Sequence, residues 1–341
     1  MKAVFLTQYG DSTSSFQIHE TQTPEPKGTE ILVKVETFGL NFADVVARRG
    51  MYGEAPKPPC ILGYEVVGRI EKIGPEVTQL KPGEKVVSLT RFGGYAEYAI
   101  SDEMASVVIP ESMDNGEACS LATQYIAAYY SAFILANLQQ GDHVLIHAAA
   151  GGVGIALNQL AKIRGCITYG TSSSKEKIAF LKNSGLNFPI NYNETDFAEE
   201  VFKLRGEDKI DVIFDPIGGK NFKKSKSVLA KGGRLVIYGA SDQLKGKKGM
   251  INNLRLLFGF GFLTPIALMM GSKSILGVNL LRIAEHRPDI INRCMNELLE
   301  LHLSGKIKPF IGATFSADQI GEAHDLLESG KSMGKIIINW N

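Results

Sequence analysis

The chain has 341 residues, 44% hydrophobic and 21% charged, enough length for two ordinary domains, each with its own packed core. Lys and Arg number 37 against 36 Asp and Glu, so the formal charge of +1 gives no overall attraction to nucleic acid or to an acidic membrane. Cys60, Cys119, Cys166 and Cys294 lie far apart with no CxxC spacing, which argues against a disulfide framework or clustered zinc site and for a reducing compartment.

The N-terminus turns polar by Thr7 and lacks the apolar core of a signal peptide, so a cytoplasmic protein is expected. Residues 1–120 read as β-rich, with strands at 31–38, 65–73 and 85–89 separated by Gly74-Pro75, Pro82-Gly83 and Gly93-Gly94 turns. Many short strands with such turns suggest a small barrel-like domain. The stretch 117–138 reads as a long apolar helix. Strands at 143–149, 166–171, 188–192, 210–216, 234–238 and 275–280 then alternate with helices at 154–164, 175–184, 197–205 and 220–229. That rhythm predicts an α/β, Rossmann-type doubly wound parallel sheet of about six strands. Beyond residue 282 the pattern is helix 288–304, extended 310–315, helix 317–329 and a last strand 335–340 that can return to the first domain. The uncharged run 256–271 is too short and too interrupted by glycine and proline to span a bilayer. It is expected to be a buried or interface segment rather than a membrane-surface helix.

The strand at 143–149 runs straight into Ala149-Ala150-Gly151-Gly152-Val153-Gly154 and a helix, and a second strand starts 12 residues past Gly154. Such a corner holds a dinucleotide: Gly151 lets the backbone approach the pyrophosphate, Gly154 lets helix and strand pack, and Gly152 and Val153 add free N–H groups at the positive end of the helix. An acidic residue at the end of the second strand would bind a ribose 2′-hydroxyl. Ser172, Ser173, Ser174 and Lys175 stand there instead, a set that suits a 2′-phosphate and hence NADPH; the serines also serve as helix caps. Tyr192, at the end of the third strand, is placed near the adenine. Gly239 and Ala240 follow the fifth strand, and Val278 and Asn279 on the sixth are placed toward the nicotinamide.

The order Gly39-Leu40-Asn41-Phe42-Ala43-Asp44, Arg49-Gly50-Met51-Tyr52, Gly63-Tyr64-Glu65-Val66-Val67-Gly68 and Ala148 to Gly154 resembles the medium-chain dehydrogenase/reductases. It is most similar to their quinone oxidoreductase (zeta-crystallin-like) branch, and within it to the synaptic vesicle membrane protein homologues. The resemblance covers almost the whole chain. It implies a GroES-like β-barrel catalytic domain from 1–123 and 283–341, a Rossmann domain at 124–282, and a homodimer. Zinc-dependent relatives carry a ligand Cys where this chain has Asn41 and a ligand His where it has Tyr64, and the four-cysteine zinc lobe is missing, so no metal is expected. Ala127 stands where many relatives place a threonine near the nicotinamide.

Metal-free chemistry restricts the acceptor. Reducing a ketone makes an alkoxide that needs a Lewis acid, whereas a quinone or α,β-unsaturated carbonyl spreads the charge so that hydrogen-bond donors suffice. By the resemblance, Asn41, Asp44, Tyr52 and Tyr64 line the catalytic cleft. Asn41 donates to substrate or ribose. Asp44 orients Asn41 or a water, or simply caps the following helix. Tyr52 is a proton donor or a stacking lid, and Tyr64 fills the former metal cavity. Water is the alternative proton source. The alternative function is an NADPH-binding protein of little activity that associates with a membrane or partner through the glycine-rich, basic and then apolar insert 244–271.

Overall fold

The structure is a computed structural model that describes residues 1–242, 260, 261 and 263–340. In chain order the first elements are β1 (Lys2–Leu6), α1 (Ser12–Ser15), β2 (Phe16–Glu20), β3 (Glu30–Leu40), α2 (Phe42–Arg48), β4 (Cys60–Ile61), β5 (Glu65–Ile73), β6 (Lys85–Leu89), β7 (Tyr98–Asp102), β8 (Ser106–Val108) and α3 (Asn115–Ser120). There follow α4 (Ile126–Tyr129), β9 (His143–Ile146), α5 (Gly152–Ile163), β10 (Ile167–Ser172), α6 (Lys175–Asn183), β11 (Phe188–Asn191), α7 (Phe197–Arg205), β12 (Ile210–Asp215), α8 (Gly219–Val228), β13 (Leu229–Ile237), α9 (Pro265–Gly271) and β14 (Ser274–Gly277). The chain ends with α10 (Leu280–His286), α11 (Pro288–Leu303), β15 (Ile311–Ser316), α12 (Ile320–Glu328) and β16 (Lys335–Asn339). It divides into two compact units, one of Met1–Ile126 with Leu280–Asn341 and one of Ala127–Asn279.

The first unit is a GroES-like β-domain. Its organiser is β3, which pairs with β5 along one edge. On the other edge its first half takes β7 and its second half takes β16. Register shifts between Leu32 and Val33 and between Val35 and Thr37 bend the strand enough to serve these partners. Ile31, Val33, Val35, Phe38 and Leu40 of β3 enter one core with Val66 and Ile70 of β5 and Ile336 and Ile338 of β16. The last strand therefore closes the first domain, with Ile336 opposite Leu40. This register sets the start of β16 beside the start of α2.

The second unit is a six-stranded sheet in the order β11-β10-β9-β12-β13-β14, every pair parallel. The order reverses between β9 and β12, where an open α/β sheet binds ligands at its carboxyl edge. Several elements differ from the sequence expectation: β9, expected at 143–149, ends at Ile146, and β13, expected at 234–238, begins at Leu229. The strand expected at 275–280 is β14 and stops at Gly277, because Leu280 and its apolar neighbours already belong to α10. The helix expected over 117–138 is not uniform: π-helical turns at Leu121–Tyr125 and Tyr130–Leu135 flank α4. Of the insert 244–271, residues 244–259 and 262 lie outside the described residues. Its end forms α9, capped by the Thr264 side chain on the Ala267 N–H, with Ile266, Met269 and Met270 64%, 73% and 82% exposed in the single chain. Among the described residues no helix is long and apolar enough to cross a membrane.

Candidate nucleotide and catalytic sites

The glycine corner begins at His147, which is fully buried with its ring nitrogens 3.0 Å from Thr171 Oγ1 and Ser225 Oγ. Ala148 then takes a positive φ of 52°, turning the chain back over the sheet. The turn is closed by the Gly151 N–H donating to Ala148 O at 2.9 Å and pinned by the Ala149 N–H on Thr171 O at 3.0 Å. Gly151 is the N-cap of α5 in extended backbone. The first-turn N–H groups of Gly152, Val153 and Gly154 have no partner inside the helix and carry its positive end. A Cβ on Gly154 would lie 2.6 Å from Ala148 O and from Ala149 Cα, so this residue decides whether α5 can sit on β9. A Cβ on Gly151 would meet only Ala148 O at 3.3 Å, so here glycine keeps the surface bare for a ligand.

The other nucleotide candidates stand at carboxyl ends of the same sheet. Ser172 closes β10, and Ser173 O accepts the Asn193 side chain at 2.7 Å. Ser174 caps α6 through the Lys177 N–H at 3.3 Å, leaving Lys175 exposed in its first turn. Tyr192 follows β11, bonded by its N–H to Ser172 O at 3.0 Å, with its side chain 49% exposed. Gly239 and Ala240 follow β13; a Cβ on Gly239 would lie 2.8 Å from Pro216 O. Val278 and Asn279 lie just past β14 rather than within it, with the Val278 N–H held on Ile237 O at 2.9 Å.

In the first unit the Asn41 amide is fully engaged. Its Nδ2 donates to both Glu65 carboxylate oxygens at 2.9 and 2.7 Å, and its Oδ1 accepts from Lys335 Nζ at 3.1 Å. Lys335 also pairs with Glu65 and donates to Leu40 O at 3.2 Å, and the Thr123 hydroxyl donates to the same carboxylate. Both charged side chains are fully buried. Gly39 makes room for them: a Cβ there would collide with the Glu65 carboxylate and the Lys335 stem. Asn41 opens α2, and Asp44 Oδ2 takes the Asn41 backbone N–H at 2.8 Å. Burial raises the Asp44 pKa to about 8; the Asn41 N–H lowers it and Glu65 raises it further. Burial also drives the Tyr64 phenol far above its ordinary value and pushes Tyr52 up to about 12, with Glu54 adding to the latter. Tyr52 and Tyr64 meet edge to face with ring centroids 6.4 Å apart, and Phe92 packs on Tyr64 at 5.3 Å.

These two constellations can be set beside known proteins. Residues 152–293 match the family described as zinc-binding dehydrogenase, and residues 27–111 match the alcohol dehydrogenase GroES-like domain. A synaptic vesicle membrane protein VAT-1 homolog of Danio rerio is 34% identical over 338 residues, covering 99% of this chain and 69% of the relative. The chain belongs to the medium-chain dehydrogenase/reductases. It falls in their VAT-1 and quinone oxidoreductase branch: the human quinone oxidoreductase is 28% identical, covering 99% of this chain and 97% of that protein. A mycobacterial protein solved in complex with NADPH has a TM-score of 0.87 at 27% identity, covering 99% of this chain and all of the other.

Reading this medium-chain dehydrogenase/reductase from sequence missed four buried groups. Glu65 and Lys335 govern Asn41, and Asp215 and His147 sit beneath the nucleotide corner. Asp215, at the end of β12, accepts the N–H groups of Ile217 and Gly218 at 2.8 and 3.1 Å. Each had a faint signal. Glu65 stands immediately before the apolar pair Val66-Val67, Asp215 immediately after the apolar run Val212-Ile213-Phe214, His147 before a run of alanines, and Lys335 heads an isoleucine run.

Proposed function

We propose that the protein is a zinc-independent oxidoreductase that uses NADPH to reduce a quinone or an α,β-unsaturated carbonyl. The glycine corner carries this reading: its bare backbone at Gly151 and its unpartnered first-turn N–H groups suit a pyrophosphate. β10 ends in hydroxyls and is followed by the exposed Lys175, while the Glu176 carboxylate after it is engaged by the Ser174 side chain, a set that favours a 2′-phosphate. NADPH supplies the hydride when bound. The chain contributes the rest: Tyr52 is the proton donor to the conjugated oxygen, Tyr64 and Asp44 stand behind it, and Asn41 fixes the start of α2. Independence from zinc is supported by Lys335, whose ammonium already lies against Asn41 Oδ1 and would repel a divalent cation there.

Titrations at one ionic strength are expected to give NADPH at least about tenfold tighter binding than NADH. Ser172→Ala with Lys175→Ala should erase most of that difference, the scale of one or two charge-assisted hydrogen bonds. Equal affinities, or no binding of either nucleotide, overturn the cofactor assignment. NADPH oxidation across a panel of quinones and alkenals then reads the acceptor class. NADPH binding without turnover on the whole panel favours the alternative, a binding protein of low activity, for which the exposed apolar face of α9 is the supporting observation.

We further propose a cytoplasmic homodimer. Among the described residues β14 is the edge strand of the parallel sheet, and α9 immediately before it exposes Ile266, Met269 and Met270. Native mass spectrometry of purified protein is expected to give a dimer mass without zinc. A monomer refutes the assembly, and stoichiometric zinc refutes the metal-free chemistry.

A further inference from the structure

We propose that His147 fixes the end of β10 against the glycine corner and thereby sets the discrimination between NADPH and NADH. This role rests on the NADPH reading above and names the residue that positions the 2′-phosphate end of the site. His147 follows β9 and is buried together with Thr171 of β10 and Ser225 of α8. Its backbone N–H donates to Phe214 O of β12 at 3.1 Å. Its ring is held from three further elements: Nδ1 lies 3.0 Å from Thr171 Oγ1, Nε2 lies 3.0 Å from Ser225 Oγ, and Phe197 of α7 meets the imidazole edge to face with centroids 4.7 Å apart. A neutral imidazole has one N–H and one lone pair, and a hydroxyl can donate or accept, so both contacts are satisfied at once. Burial lowers the His147 pKa, with Asp215 opposing, and so favours that neutral form.

The bond to Thr171 is the one that reaches the nucleotide side. Thr171 is gripped twice by the segment that makes the corner: its carbonyl takes the Ala149 N–H at 3.0 Å, and its hydroxyl meets the His147 ring. One bond alone lets the end of β10 pivot; two hold its direction. Thr171 is β-branched and has few χ1 choices, so holding Oγ1 holds its Cα and the residues that follow. Those residues are Ser172, Ser173, Ser174 and Lys175, the hydroxyls and ammonium offered to a 2′-phosphate. Ser172 O accepts the Tyr192 N–H at 3.0 Å, so the end of β11 is carried with them. In either dinucleotide the adenosine ribose is joined to the pyrophosphate through its 5′ carbon. With the pyrophosphate on Gly151 to Gly154, the direction from the corner to the end of β10 decides whether a 2′-phosphate meets its partners. NADH has no such group and depends far less on that direction.

Calorimetric titration of the full chain with both nucleotides, on variants that cut the two side-chain bonds one at a time, tests the assignment. Thr171→Val and His147→Leu are each expected to raise the Kd for NADPH about fivefold, the scale of one hydrogen bond, and to leave that for NADH within about twofold of wild type. Ser225→Ala, which frees the ring from α8 alone, should keep the wild-type ratio of the two affinities. His147→Asn, whose amide reaches about as far as Nδ1, should restore most of the ratio lost in His147→Leu. Hydrogen exchange in the nucleotide-free chain reads the same bond without any ligand. The Ala149 and Tyr192 amides, held on Thr171 O and Ser172 O, should exchange about fivefold faster in Thr171→Val and at the wild-type rate in Ser225→Ala. Variants that weaken both nucleotides equally, or a Ser225→Ala that loses the ratio as Thr171→Val does, overturn the specificity role. Unchanged exchange in Thr171→Val overturns the positioning itself. A wild type that binds the two nucleotides alike, with the exchange result intact, removes the NADPH reading and the specificity role with it, and leaves His147 as the residue that holds the corner to β10.

Discussion

Lys335→Met is expected to lower the apparent melting temperature by roughly 10 °C, the largest single-residue effect on stability in the first unit. Removing one partner of a fully buried ion pair typically costs about 3–5 kcal/mol, because the remaining charge is left without compensation. Here that charge is Glu65, which would keep only Asn41 Nδ2 and the Thr123 hydroxyl as partners. Asn41 would lose its Oδ1 donor and Leu40 O one of its hydrogen bonds. The double variant Lys335→Met with Glu65→Gln is expected to be more stable than Lys335→Met alone, since the uncompensated charge is gone. Thermal and urea unfolding of the two singles and the double give the coupling. A Lys335→Met that melts within about 2 °C of wild type would show that the pair does not hold β16 to the start of α2.

The same pair explains why the catalytic side was less legible than the nucleotide side. Strand–helix alternation from 143 to 238 is plain in the sequence, because parallel strands covered on both faces are near-continuous apolar runs punctuated by glycine. The corner at Gly151 to Gly154 is local, so its residues announce themselves together. By contrast, Lys335 and Glu65 are 270 positions apart and meet only because β16 returns to β3. A lysine before three isoleucines reads as a solvated strand flank, and nothing local marks it as buried. Asp44 was equally ambiguous: its spacing from Asn41 predicts a helix cap, which it is, but its complete burial follows from the fold and not from the spacing. Strand β2 escaped notice because four of its five residues face solvent and leave no apolar alternation to read. Sequence fixes which residues are available to a buried network; the long-range register decides which of them meet.

Gly151→Ala and Gly154→Ala separate ligand approach from folding at the nucleotide corner. Gly154→Ala places a methyl 2.6 Å from Ala148 O and from Ala149 Cα. Those are backbone atoms of the turn, and the Ala149 N–H is anchored to Thr171 O at 3.0 Å, so the clash cannot be relieved by a rotamer. Either α5 moves off β9 or the turn opens, at a cost of about 1–3 kcal/mol, the range for overpacked cores. Gly154→Ala is therefore expected both to melt several degrees lower and to lose NADPH binding. Gly151 has a φ of −77°, a conformation any residue adopts, and its added methyl finds only Ala148 O at 3.3 Å. Gly151→Ala is expected to melt within about 2 °C of wild type, while its methyl occupies the surface that a pyrophosphate must approach. Its Kd for NADPH should rise at least about tenfold, or 1.4 kcal/mol. Calorimetric titration beside thermal unfolding checks both variants. A Gly151→Ala protein that binds NADPH as the wild type does would mean that the corner closes the fold of the second unit without holding the nucleotide.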